Sequence, residues 1–187
     1  MKNFKKYSSL LIFTLVFGTI GMYAQDNEKD LIKEKDQKKL VTDTQYAKED
    51  LMESNENVAQ LFEDAYAYVI FPNVGKGAFI AGGAAGSGIA FQGANQVGWS
   101  TLRQLDVGFQ FGGKSFIQAI LFQDKQNFDE FKSGEFEFGA GVSAVALSKG
   151  ASRNVNFEDG MAVVTLPKGG AMIEVSVGGQ KFKYQGL

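Results

Sequence analysis

The side chains behind most protein chemistry are missing here, because the 187 residues include no Cys and no His. Thiol nucleophiles, disulfides, the usual zinc sites, Ser-His-Asp hydrolysis and the common neutral-pH proton shuttle are therefore excluded. Carboxylates, Lys and Tyr remain. Glu135 and Glu137 stand two residues apart on one face of an expected strand, which is the raw material of a paired-carboxylate hydrolase. No base accompanies them in sequence, and two acids at strand spacing ordinarily form a solvated face. A carboxylate-dependent hydrolase is a remote alternative. A calcium loop counted from Asp129 places Gly134 correctly at its sixth position. Phe131 and Ala140 then fall where oxygen ligands belong, so the loop is rejected. No catalytic residue, metal or cofactor is expected.

Phosphate chemistry is tested by the stretch from Phe71 to Gly93, FPNVGKGAFIAGGAAGSGIAFQG, which holds seven glycines. The dinucleotide pattern fails, since Gly75-Lys76-Gly77 is followed by Ile80 and Gly86-Ser87-Gly88 by Phe91. No Gly-Lys-Ser/Thr follows for a P-loop either. Phe79, Ile80, Ile89 and Phe91 are interleaved with the glycines, unlike a flexible linker. Glycine within strands marks bends or close approach of other groups. The stretch predicts two sharply bent strands with another element packed closely over them.

The cations offer a different chemistry. From residue 71 onward ten basic residues face nine acids, and Lys76, Lys114, Lys149, Arg153 and Lys168 fall at expected turns or strand ends. Dispersed turn charge usually serves solubility. A converging rim of cations would instead meet lipid headgroups or another anion. The candidate lipid-binding residues are Lys76, Lys149 and Arg153, with Arg103 and Lys114.

The elements that position these residues begin after a leader. Lys2, Lys5 and Lys6, then the apolar run Leu10 to Ile20 and Ala24, have the order of a secretory signal peptide over 1–24. That predicts an exported protein, periplasmic or extracellular, either soluble or peripheral to a membrane. Cleavage there leaves 16 of the 19 basic residues against 21 acids, a net charge of −5. Nucleic acid is not the expected partner. Residues 25–39 form a mixed-charge flexible segment, a solvated helix or tail. The domain proper is expected over 40–187.

From Leu40 to Ala65 the spacing of Leu40, Thr44, Ala47, Leu51, Ser54, Val58 and Phe62 predicts one long amphipathic helix, capped by Thr42 or Asp43. Its outer face carries Asp43, Glu49, Asp50, Glu53, Glu56, Glu63 and Asp64 against Lys48 alone, a net of −6. A membrane-surface helix would be basic, so this one is expected to pack on the sheet. Strands are predicted at Ala65–Phe71, at Val97–Leu102 with the single Trp, and at Gln104–Phe111, where Leu105 faces the core and Gln104 faces solvent. A Gly112-Gly113 turn leads into Lys114–Phe122, which is apolar enough to be central. Asp124–Lys132 reads as a short helix with Phe128 and Phe131 inward, stopped by Gly134. One long strand over Phe136–Ala146 follows, then strands at Met161–Leu166, Gly170–Val177 and Gln180–Tyr184. The fold class is α+β: a strongly curved, Gly-rich antiparallel sheet or partly closed barrel with one long N-terminal amphipathic helix and one short helix.

These residues resemble a known family. FPNVGKGAFIAGGAAGSGIA, Gly98-Trp99-Ser100, the run Val107 to Gly112 and the run Phe138 to Ser143 are together similar to the SYLF domain, the lipid-binding, Ysc84-like actin-regulator domain. The likeness runs from about Val58 to Tyr184. It implies a non-enzymatic module that binds anionic phospholipid at a membrane surface of the cell envelope. Actin binding, a property of eukaryotic members, does not suit a chain with a signal peptide. Thr101-Leu102 stands where the family usually has Pro, and Ser148 to Arg153 replaces a Gly-Pro-x-Gly-Arg turn. A structural or protein-interaction module of the envelope, using the sheet surface, is the alternative.

Overall fold

The computed structural model describes residues 34–75, 83–105, 115–134, 136–139, 142, 144–148, 154–168 and 177–187. The expected signal peptide, the Gly112-Gly113 turn and the Gly170–Val177 strand, apart from Val177 itself, lie outside them. Within 34–39 the chain is helical and exposed, with a Glu34–Lys38 ion pair of 2.7 Å one turn apart.

The long helix is two helices. Helix α1 covers 34–54 and α2 covers Glu56–Asp64, with Asn55 between them in extended backbone (φ −163°, ψ 122°). The Asn55 Oδ1 accepts the backbone N–H of Asn57 at 2.9 Å and of Val58 at 3.3 Å. Its short polar side chain thus replaces the carbonyls a continuous helix would have supplied and starts α2 afresh. Thr42 and Asp43, expected as caps, lie inside α1. The apolar stripe itself is as expected: Ala47, Leu51, Val58, Leu61 and Phe62 are buried against the sheet.

Eight strands form one sheet: β1 Ala67–Val74, β2 Gly83–Gln92, β3 Asn95–Leu105, β4 Phe116–Phe122, β5 Phe136–Glu137, β6 Val145–Ala146, β7 Met161–Pro167 and β8 Gln180–Gly186. Helix α3, Lys125–Lys132, follows β4 and is capped by Asp124. The strand order is β5-β8-β3-β2-β1-β4-β7-β6. Every pairing is antiparallel except β6 with β7, so the sheet is mixed. Strand β4 is buried along its whole length, as its apolar sequence requires of a central strand.

The expected long strand 136–146 is absent. Phe136–Glu137 pairs with β8 at one edge of the sheet, and Val145–Ala146 pairs with β7 at the other. Eight residues span at most about 28 Å. Seven flat strand spacings would need about 34 Å. A segment this short joins the two edges only because the sheet curls into a half-barrel.

The curl gives the sheet an inner and an outer face. Val69, Phe71, Ile120, Phe122 and Phe182 fill the inner face, with Phe128 and Phe131 of α3 at one end. On the outer face Tyr68, Ile70, Ala119, Leu121 and Val164 lie beneath α1 and α2. Two glycines permit the close approaches that bending brings. A Cβ on Gly88 would lie 2.6 Å from the Ile70 carbonyl oxygen and from the Phe71 ring. A Cβ on Gly98 would lie 2.5 Å from the Tyr184 ring, whose hydroxyl donates to the Val97 carbonyl oxygen at 2.8 Å.

Candidate functional site

The outer face divides by what covers it. Over β1, β4 and β7 the helices supply the cover, and their own outer surface is acidic, with Glu49, Glu53, Glu56, Glu63 and Asp64 exposed. Lys48, the one base between residues 40 and 64, turns inward instead. Its Nζ donates to the Tyr68 hydroxyl at 2.9 Å and sits 4.5 Å from the Tyr68 ring centroid. The helical layer therefore repels anions.

Over β3 and β8 the outer side chains are exposed. Alternation sends Leu102, Gln104, Gln180 and Phe182 inward, where all four are buried. It sends Thr101, Arg103, Lys181 and Lys183 outward, where all four are exposed. The register then aligns them, with Arg103 opposite Lys181 and Thr101 opposite Lys183. On the other flank of β3, Arg103 faces Ala85 and Thr101 faces the exposed Ser87. Like charges placed directly across an antiparallel pair disfavour the sheet. Glu137 of β5 offsets part of this, standing opposite Lys181 with Oε2 3.2 Å from its Nζ. Both partners of that ion pair are more than half exposed, 65% and 52%, so it is weak and readily exchanged. Among the described residues this face carries three cations, Arg103, Lys181 and Lys183, and one acid, Glu137. Half-buried Trp99 lies on the same face of β3, two residues from Thr101.

Of the candidates named from sequence, Arg103 alone falls among the described residues, and it belongs to this face. Lys76, Lys114, Lys149 and Arg153 lie outside them. Lys181 and Lys183 join Arg103 and were missed as site residues, although their alternation with Phe182 and Tyr184 already placed them on one solvent-facing side. Two further bases of the sheet region are engaged elsewhere: Lys125 and Lys132 both pair with Asp129 on α3, the latter at 2.8 Å. Asp129, the first residue of the rejected calcium loop, is thus held by two ammonium groups. Of the carboxylate pair, Glu135 lies outside the described residues and Glu137 is the partner of Lys181.

One sequence expectation is reversed. Gln104, expected to face solvent, is 2% exposed, and its Oε1 accepts the Gln180 side-chain amide at 2.9 Å. Among the described residues no group of three or more acids is placed to hold a metal ion. No described helix is long and apolar enough to cross a membrane.

No protein-family model matches the chain. The chain is similar to Beta cell expansion factor A of Aeromonas veronii, with 29% identity over 125 residues covering 65% of this chain. The matched region is 47% of that protein, so the chain spans about half the length of the curated relative.

Proposed function

We propose that this is an exported, non-enzymatic phospholipid-binding protein that meets an anionic membrane surface of the cell envelope through the outer face of β3 and β8. The observation that carries the reading is the placement of Arg103 directly opposite Lys181, with Lys183 beside them on the same exposed face. Such a like-charged pairing is relieved by a shared anion. The resemblance of the glycine and aromatic motifs to the SYLF domain points the same way. The acidic helical layer then faces away from the headgroups, which gives the bound protein one orientation.

Each cation near an anionic surface contributes about 1 kcal/mol, so the three supply roughly 3 kcal/mol. Binding near 4 kcal/mol is millimolar, so this face by itself gives weak, salt-sensitive attachment. Co-sedimentation with neutral and anionic vesicles tests the reading. Binding is expected to anionic vesicles only, and Arg103→Gln or Lys181→Gln each weakens it about fivefold, the equivalent of about 1 kcal/mol. Lys76→Glu and Arg153→Glu measure what the turn cations add. If no vesicle composition binds at any salt concentration, the reading fails and a protein partner of the envelope takes its place.

A further inference from the structure

The inner face of the sheet holds an unfinished polar chain. Along β7, Ala162, Val164 and Leu166 lie beneath the helices and Val163 lies in the inner core, so alternation puts Thr165 on the inner face. Thr165 is fully buried, and its hydroxyl has no hydrogen-bond partner among the described residues. Its carbonyl oxygen is occupied by the Leu147 N–H at 2.7 Å. Directly opposite on β4 stands Gln118, also fully buried.

Gln118 and Gln180 bond reciprocally, the Gln118 Nε2 donating at 2.7 Å and the Gln180 Nε2 returning a bond at 3.0 Å. The Gln180 Nε2 donates also to Gln104 Oε1 at 2.9 Å. A primary amide has two hydrogens and two acceptor positions, and the exchange with Gln180 uses one of each on Gln118. Side chains directly opposite in an antiparallel pair have Cβ atoms about 5 Å apart. A hydroxyl and an amide carried on two such opposed residues of one face are within reach of one bridging molecule. We propose that a single buried water molecule binds between Thr165 Oγ1 and the side-chain amide of Gln118. It extends the chain Gln104–Gln180–Gln118 to β7, so that polar contacts inside the curl tie β3, β8, β4 and β7 together. Buried waters of this kind hold two to four polar partners, and these two side chains supply the minimum. The chemistry explains the choice of Thr: Val has the same shape, fills the adjacent positions 163 and 164, and would leave nothing unsatisfied at 165.

The test pairs a direct observation with a variant. In the full-length protein, NMR cross-relaxation between water and both the Thr165 methyl and the Gln118 side-chain amide is expected, with a water residence long enough to give nuclear Overhauser effects of the bound sign. Thr165→Val removes one anchor, so the cross-peak at Gln118 disappears and the unfolding midpoint falls by about 2–4 °C. A midpoint that rises in Thr165→Val, or a wild-type protein without water cross-peaks at these groups, overturns the proposal. If the variant does not fold, the wild-type cross-peaks decide alone.

Discussion

Gln118 and Gln180 exchange two hydrogen bonds, at 2.7 and 3.0 Å, although β1, β2 and β3 separate their strands within the sheet. In a flat sheet four strand spacings would hold β4 and β8 about 19 Å apart. Two glutamine side chains cannot bridge that gap. The pair forms because the sheet closes on itself, and once formed it opposes uncurling.

This relationship sets the first prediction. Gln180→Leu leaves the buried amides of Gln118 and Gln104 without the partner they share. Each buried polar group left unsatisfied costs about 1–3 kcal/mol. Urea denaturation should show a loss of about 2–4 kcal/mol, and adding Gln118→Leu should cost less than its effect alone, because both act on one network. Strict additivity would show that the amides contribute separately.

Docking of the helices is tested at Phe62, which is 6% exposed and meets the Tyr68 ring edge-on at 5.1 Å. Phe62→Ala should destabilise the protein by about 3–5 kcal/mol. A loss below about 1 kcal/mol, the scale of surface substitutions, would place the ring outside the working core.

A glycine comparison tests the bent strands. Gly98→Ala drives a methyl into the Tyr184 ring and the Gln185 carbonyl oxygen, and overpacking of this kind costs about 1–3 kcal/mol. Gly139→Ala meets none of the described residues within 4 Å and should be close to neutral. Equal effects at the two sites would remove the close-approach argument.

Acid weakens the start of α3. Asp124 accepts the backbone N–H of Asn127, which holds its carboxyl below the ordinary carboxylate value. A group with a lowered folded value adds stability above the unfolded value, about pH 4, and loses it as pH falls through the folded value. Asp124→Ala should therefore lower the melting temperature at pH 7. The gap from wild type should close progressively below about pH 4. A gap that is constant from pH 7 to pH 2 would assign the effect to packing.

Only part of the candidate site was legible. Arg103 was visible as a candidate, and the Lys-Phe-Lys-Tyr alternation from Lys181 marked a strand with cations on one side. What stayed hidden was their adjacency, since Arg103 and Lys181 are 78 positions apart and meet through register alone. The burial of Gln104 was hidden for a related reason. On an isolated strand a glutamine belongs with solvent, whereas here Gln180 reaches it across the inside of the curl.

The sequence by itself determined the local elements: the docking stripe through Leu51, Val58 and Phe62, the central strand Phe116–Phe122, the α3 turn with Phe128 and Phe131 inward, and the absence of thiol and imidazole chemistry. Those follow from periodicity and composition, which are properties of neighbouring residues. The tertiary structure alone decided where the segment after Phe136 goes, with its ends on opposite edges of one sheet, and which charges face each other. Both depend on curl and strand order, set by contacts between residues far apart in the chain, and no local pattern encodes such contacts. Asn55 lies between the two cases. Its capping chemistry was present in the residue type, but the apolar stripe ran through it unbroken, and a single side-chain oxygen was enough to divide the helix.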